Sequence, residues 1–233
     1  MPYRNFDYSN TNDVLLVTLN NQESQNALSP EMAQELSDLL YEEMPKALLL
    51  THAGPSFCSG GNLRFYKSLE SKEDGLKINK HIRKILEELH NLEIPKACYV
   101  NGNSLGGGIE LLSCFDYIVS SPSALFGLWQ RRIGLSFGWG GGERLLKRLS
   151  EKDLKSWLYH GSTKDAYEAR EIGLVDSIEM HNKGMEKTFQ WLKQVQKWGE
   201  ESFQAIKSEK KESDTFKSLW HSDRHKEVLN KFK

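Results

Sequence analysis

Short apolar runs alternate with segments of helical periodicity over much of the chain. The runs at 13–20, 46–54 and 96–101 are apolar and end at Asn or Gly, so we expect a strand in each. Two more short strands are expected within 117–127, on either side of a Ser-Pro pair. These strands are too short and too apolar for amphipathic helices, and they indicate a buried sheet.

Helical patterns occupy the segments between these strands. Ser29 can cap a helix that has Pro30 in its first turn. The apolar face of that helix would contain Met32, Leu36, Leu39 and Leu40. A second helix is expected over 76–92, and a short one after the glycines of 106–108.

The last third of the chain has a mainly helical pattern. Helices are expected at 141–150 and at 163–173, the second with Thr163 as its N-cap and Gly173 as its stop, followed by a brief strand at 174–179. Beyond residue 180 one amphipathic face is expected to contain Phe189, Leu192, Val195 and Trp198. This order predicts an α/β core over 1–180 and a helical C-terminal region over 181–233.

Composition narrows the class of protein. Of the 233 residues, 38% are hydrophobic and 27% are charged, and the net charge of −1 gives no reason to expect nucleic acid or a membrane as a partner. The three cysteines show no paired spacing, which favours reduced thiols and a cytoplasmic location. Neither a metal-ligand motif nor an apolar run near the ~20 residues of a membrane span is visible in the sequence.

Two glycine-rich loops suggest chemistry. The sequences "CSGGN" at 58–62 and "SLGGG" at 104–108 each follow an expected strand and precede an expected helix. Glycines at such a turn leave backbone N–H groups open to an oxygen, and two such loops could form an oxyanion hole. The same glycines would also suit turns that only pack closely, and the residues alone leave both interpretations open.

A longer series of motifs resembles the crotonase (enoyl-CoA hydratase/isomerase) superfamily. In order, these motifs are "NALSPEM", "FCSGGNL", "IPKACYVNGNSLGGGIELLSCFDYIVSSPSALFG", "IGLSFGWGGGERL" and "EAREIGLVD". The C-terminal "SDRHKEVLNKF" is also similar to the ending of that family. The resemblance implies an α/β spiral of ββα units with a helical trimerisation region, a coenzyme A thioester as substrate without a further cofactor, and a homotrimer or dimer of trimers.

The resemblance also implies roles for particular residues. Gly61 and Gly107 would supply the two N–H groups of the oxyanion hole, and Glu110 stands where the hydratases have their first catalytic carboxylate. The second carboxylate is replaced by Gln130, which cannot act as a general acid or base because an amide does not ionise. The other expected substrate-binding residues are Gln25, Ala27, Leu28, Ser59, Gly60, Asn62, Leu63, Leu105, Gly106, Trp129 and Ile133.

Three functions remain open at this point. The first is an enzyme with Glu110 as its single acid/base, which suffices for moving a double bond or for related thioester chemistry. The second is a 2-enoyl-CoA hydratase in which Gln130 orients water, and the third is a non-catalytic scaffold that binds acyl-CoA. Phe137, Trp129 and Trp139 are expected around the pocket, although ordinary core aromatics would show the same pattern.

Overall fold

A six-stranded sheet lies at the centre of the molecule. The structure is a computed structural model that describes residues 3–208 and 210–232. The strands of this large sheet are β1 (Phe6–Thr11), β2 (Val14–Leu19), β3 (Ala47–His52), β5 (Lys96–Val100), β7 (Tyr117–Ser120) and β10 (Ser177–Ile178). They lie side by side in the order β1-β2-β3-β5-β7-β10, and every pair is parallel except the β1–β2 hairpin.

A second, smaller sheet carries the loops of interest. It contains β4 (Ser56–Cys58), β6 (Asn103–Leu105), β8 (Leu125–Gly127) and β9 (Thr163–Asp165) in that order. The first three strands are parallel, and β9 is antiparallel to β8. Strands β3, β5 and β7 of the large sheet are each followed along the chain by the next strand of the small sheet, which is the expected spiral of ββα units.

The helices cover both faces of the large sheet. They are α1 (Pro30–Glu43), α2 (Leu63–Lys67), α3 (Lys72–Asn91), α4 (Gly107–Leu112), α5 (Gly141–Leu145), α6 (Glu151–His160), α7 (Ala166–Glu171), α8 (His181–Gln196), α9 (Glu200–Lys207), α10 (Glu212–Leu219) and α11 (Asp223–Leu229). As expected, Pro30 is the first residue of α1, and the Ser29 hydroxyl accepts a hydrogen bond of 3.1 Å from the Met32 N–H.

Strand β3 shows how two cores share one sheet. Leu48 and Leu50 face the main core between the sheet and helices such as α1 and α3, whereas Leu49 faces α8. Helix α8 packs on that second face through the fully buried Leu192. Trp198, expected on the same apolar face, lies beyond the end of α8 and is mostly exposed.

Helices α9 to α11 follow α8, and α10 packs against α9. They leave large apolar side chains in solvent, namely Ile206, Phe216, Trp220 and Leu229. Helix α9 contacts the rest of the molecule through an ion pair in which Lys207 Nζ lies 2.8 Å from Asp116 Oδ1. In the described part of the chain, no helix has the length and apolar character needed to cross a membrane.

Several features differ from the sequence-based expectations, among them the short strands β4 and β6, which lie where a loop and a turn were expected. Strand β1 was not anticipated because five of its six side chains are exposed and polar or aromatic, and its turn is formed by Asn12 and Asp13 with positive φ. Helix α6 was also missed. The assignment of Thr163 as an N-cap was wrong: Thr163 belongs to β9, and Asp165 caps α7 through a reciprocal capping box with Glu168.

Candidate active site

Three neighbouring strands of the small sheet end at one place. Gly60 and Gly61 follow β4, Gly106 and Gly107 follow β6, and Gln130 lies just beyond β8. Because these strands are parallel, the loops after them meet at the same edge of the sheet. This is the edge at which parallel α/β sheets commonly bind ligands.

The two glycine loops touch each other. A Cβ added at Gly60 would lie 3.0 Å from the Leu105 carbonyl oxygen and 3.2 Å from the Gly107 nitrogen. Gly60 and Gly106 have φ values of +103° and +53°, which favour glycine directly before each candidate donor. Within 3–208 and 210–232, the N–H groups of Gly61 and Gly107 donate no hydrogen bond, so both are available to a ligand oxygen.

The first loop is supported from the segment before α1. The Leu28 N–H donates to the Gly60 carbonyl at 2.7 Å, and the Leu28 carbonyl accepts from the Asn62 N–H at 3.3 Å. The Gln25 carbonyl accepts from the Ser59 N–H at 3.2 Å. The Asn62 side chain caps α2, so an amide oxygen performs the local task that a carboxylate would perform there.

Glu110 lies in α4 and is 2% exposed. Its Oε2 accepts short hydrogen bonds from the backbone N–H groups of Trp139 (2.8 Å) and Gly141 (3.0 Å). Its Oε1 has only longer contacts, 3.3 Å to the Gly138 nitrogen and 3.4 Å to Gln130 Nε2. One carboxylate oxygen is therefore anchored, while the other is held less tightly on the side of Gln130.

Gln130 begins a 3-10 turn and is 6% exposed. Its amide nitrogen is directed at Glu110, and its buried Oε1 has no hydrogen-bond partner among the described residues. A buried amide oxygen without a partner is unfavourable by about 1–3 kcal/mol, and a water molecule or a ligand hydroxyl would relieve that penalty.

The two glycine loops, Glu110 and Gln130 line one cavity of about 300 Å³. The sequence-predicted residues that line it are Ser59, Gly60, Gly61, Leu63, Leu105, Gly106, Gly107, Glu110, Trp129, Gln130 and Ile133. Four others do not: Ala27 and Leu28 are buried in the core, Gln25 is exposed, and Asn62 caps α2. For Gln25, Leu28 and Asn62 the structure shows the supporting roles described above instead.

The sequence did not predict the side chains that hold Trp139 in the cavity. Asn79 Oδ1 accepts from the Trp139 indole Nε1 at 2.8 Å and from the Tyr66 hydroxyl at 3.0 Å. Burial raises the pKa of Tyr66, and the negative charge of Glu110 adds to that rise, so the hydroxyl stays protonated and can donate. Asn79 is a polar residue on the otherwise apolar side of α3, which is the one local signal that could have marked it.

The site contains neither a thiol nucleophile in the cavity lining nor a metal cluster within the described ranges. All three cysteines are free and buried, and burial raises the pKa of Cys58, the nearest to the loops, to about 11. Glu110 is the one carboxylate among the described residues of the lining, beside the Gly61 and Gly107 N–H groups, the amides of Gln130 and Asn79, and the hydroxyls of Ser59, Tyr66 and Ser136.

Comparison with known proteins identifies the family. A sequence model described as enoyl-CoA hydratase/isomerase matches residues 9–231. The chain belongs to the enoyl-CoA hydratase/isomerase family. The crotonase-like fold is confirmed by the crystal structure of an enoyl-CoA hydratase from Bacillus anthracis, which has a TM-score of 0.90 at 25% identity over 98% of this chain and 96% of that one.

Relatives within the enoyl-CoA hydratase/isomerase family carry several names. Ethylmalonyl-CoA decarboxylase from Gallus gallus is 26% identical over 93% of this chain and 79% of its own length. A putative enoyl-CoA hydratase/isomerase from Bacillus subtilis is 32% identical over 70% of this chain. The match spans 64% of the Bacillus subtilis protein, slightly less than two-thirds of its length. The names therefore do not converge on one reaction.

Proposed function

We propose that the chain is an enzyme that binds a coenzyme A thioester and stabilises its enolate between the N–H groups of Gly61 and Gly107. The observation that carries this proposal is the pair of unused N–H groups on touching loops, in one cavity with a buried carboxylate. An oxyanion hole stabilises negative charge as it develops on the thioester oxygen. Each donor of such a hole typically contributes about 3 kcal/mol to the transition state.

Glu110 acts as the acid/base in this proposal. Among the described residues that line the cavity, it is the one carboxylate. Its Oε2 is occupied by two short backbone hydrogen bonds, so Oε1 is the oxygen that takes the proton from the carbon next to the thioester. The same oxygen can return a proton to another carbon, which is what moving a double bond from the 3 to the 2 position requires.

Double-bond isomerisation is the reaction that a single base beside an oxyanion hole serves most directly. Hydration of a 2-enoyl-CoA is the alternative, with water held by the unpartnered Oε1 of Gln130. Hydration lacks a second ionisable group here, and the loss of one general acid or base typically lowers a rate ~10²–10⁴-fold. A scaffold that binds acyl-CoA without turnover is the third possibility.

Decarboxylation is a second candidate that one observation favours. Gln130 places a neutral group where a second carboxylate would repel an acidic substrate. In this reaction the bond between C2 and the carboxylate carbon breaks, CO2 leaves, and the electron pair forms the enolate at the oxyanion hole. C2 then takes a proton that comes from solvent water. The relative from Gallus gallus carries the name of such an enzyme.

Proton exchange tests the shared enolate step without assuming which reaction follows. Butyryl-CoA incubated with the protein in D2O should gain deuterium at C2, measured by mass spectrometry. Glu110→Gln should lower the exchange rate at least ~10²-fold because the amide cannot take the proton. Circular dichroism checks that the variant is folded, since its amide NH2 would face the backbone donors that hold Glu110.

Three outcomes separate the functions. Exchange that depends on Glu110 supports the enzyme, and turnover of a 3-enoyl-CoA, crotonyl-CoA or ethylmalonyl-CoA then assigns isomerisation, hydration or decarboxylation. Binding of butyryl-CoA without exchange, and without turnover of any of the three, would leave the scaffold. Absence of binding in folded protein would refute the proposal as a whole.

We also propose that the protein is a cytoplasmic homotrimer or dimer of trimers that uses no cofactor beyond the coenzyme A of its substrate. The exposed apolar side chains of α9 to α11 support self-association, because a second copy of the chain could remove them from water. Analytical ultracentrifugation would test this, and a monomer at micromolar concentration would contradict it.

A further inference from the structure

The cavity has an exposed mouth and a buried base. Leu63 and Leu135, 60% and 62% exposed, lie at the mouth, whereas Glu110 and Trp139 line the base. A substrate whose C2 reaches Glu110 must therefore place its thioester at the base. The long pantetheine arm of coenzyme A must then leave through the mouth.

The Trp139 indole lies against both candidate oxyanion donors. A Cβ added at Gly107 would be 2.2 Å from Trp139 Cζ3, and one added at Gly61 would be 3.5 Å from its Cη2 and Cζ2. The six-membered part of the indole thus packs beside the Cα atoms of both glycines, at the base of the cavity. The ring is itself almost fully buried, since Trp139 is 4% exposed.

The indole is held at two points. Its Nε1 donates to Asn79, whose side-chain nitrogen donates in turn to the Gly75 carbonyl within α3 at 2.8 Å. The backbone N–H of Trp139 donates to Glu110. The backbone is thus anchored at Trp139, and the ring cannot rotate aside without breaking the hydrogen bond from Nε1 to Asn79.

We infer that the Trp139 indole forms the end wall of the acyl part of the cavity, so that the site takes thioesters of short acyl chains and excludes long straight ones. The inference rests on the proposed function, and it adds a specificity-determining residue and a substrate class. The volume of about 300 Å³ agrees with it, because ligand pockets typically measure ~300–1,000 Å³ and this one must also hold the end of the pantetheine arm.

Binding of a chain-length series tests the inference. Dissociation constants of butyryl-CoA and octanoyl-CoA are measured by titration calorimetry for the wild type, Trp139→Leu and Trp139→Phe. Each methylene that is fully buried adds about fourfold to affinity, so an open pocket would favour the octanoyl group by roughly 200-fold. A closed end wall should cancel that gain in the wild type, giving octanoyl-CoA an affinity no higher than that of butyryl-CoA.

Replacing the indole should restore part of the gain. Trp139→Leu should shift the ratio of the two affinities toward octanoyl-CoA by at least about tenfold, and Trp139→Phe by less. Trp157→Leu is the matched control, because Trp157 is also buried and also donates from its indole nitrogen, to the Ser162 carbonyl at 2.9 Å, yet lies outside the cavity. Its affinity ratio should equal that of the wild type.

The outcomes separate this inference from the proposed function. If the folded wild type binds neither thioester, both are refuted. If the wild type binds both thioesters and prefers octanoyl-CoA by roughly 200-fold, the proposed function stands and the end wall is refuted. The octanoyl chain would then leave past the apolar residues at the mouth of the cavity. An affinity ratio that stays unchanged in both folded Trp139 variants would also overturn the inference. Should Trp139→Leu fail to fold, the Trp139→Phe ratio decides.

Discussion

The glycine run at 106–108 gives a sharp test of the packing around the site. Each glycine has a different neighbour: Gly106 has positive φ and open space, Gly107 faces the Trp139 ring, and Gly108 would place a Cβ 2.3 Å from the Cys58 carbonyl oxygen. Substitution of Gly107 by Ala requires no unusual backbone angle. Its cost should therefore come from one side chain, Trp139.

The size of that cost follows from the distances. Carbon atoms in contact normally lie ~3.5–4.0 Å apart, so a methyl group 2.2 Å from Trp139 Cζ3 forces the ring to move by more than about 1 Å. Overpacking of this kind typically costs ~1–3 kcal/mol. Gly107→Ala should thus lower the free energy of unfolding by about 2 kcal/mol, measured by urea denaturation followed by circular dichroism.

A double-mutant cycle assigns the cost to the ring. In a Trp139→Leu background, the cost of Gly107→Ala should fall by at least about 1 kcal/mol because the clashing atoms are gone. Gly108→Ala should show no such relief, since its neighbour is a backbone carbonyl. Gly75→Ala serves as a control inside α3, where the nearest atom would be 3.8 Å away, and it should stabilise the protein by ~1 kcal/mol.

Two results would refute this reasoning. If Gly107→Ala unfolds at the same urea concentration as the wild type, the indole does not lie on Gly107. If its cost is the same with Trp139 and with Leu at 139, the loss has another source, and the inferred end wall of the acyl cavity loses its main support.

Two further outcomes are expected. Gln130→Glu restores a second carboxylate next to Glu110 and should raise crotonyl-CoA hydration at least ~10²-fold in a spectrophotometric assay, and an unchanged rate would show that hydration is limited elsewhere. Burial lowers the pKa of Lys96 to about 7, below its usual 10.5, so the unfolded chain binds that proton more tightly. The free energy of unfolding should therefore rise by roughly 1–2 kcal/mol between pH 7 and 8.5 in urea denaturation. Lys96→Met should remove this rise, and an equal slope in both proteins would contradict the assignment.

Local signals allowed much of the fold to be predicted. The Ser29 cap with Pro30, and the strands that end at Asn or Gly, depend on neighbouring residues and were found at their expected places. Strand β1 could not be predicted because its own sequence has little apolar content. It is an edge strand that forms by pairing with β2. Thr163 was misread because Asp165 with Glu168 forms the stronger capping signal two residues later.

The residues of the candidate site that lie in a sequence motif could be predicted. The contacts between residues that are distant in the sequence could not. The glycine loops and Glu110 could be placed from the resemblance. The backbone donors that hold the Glu110 carboxylate come from 28 to 31 residues further along the chain, and the Asn79 contact that fixes the Trp139 indole spans 60 residues. Nothing in the local pattern specifies such pairings, because they depend on how α3, α4 and the loop before α5 pack together.

The two candidate N–H donors follow β4 and β6, which are adjacent hydrogen-bonded strands. Their separation is therefore tied to the spacing between paired strands, about 4.8 Å, which side-chain substitutions hardly alter. Glu110 and Gln130, in contrast, are single side chains that can be exchanged without changing that spacing. The fold can therefore combine one fixed pair of backbone N–H donors with different proton-transfer side chains. Directed evolution toward a new thioester reaction should accordingly concentrate on positions 110, 130 and 139 and leave both glycine loops unchanged.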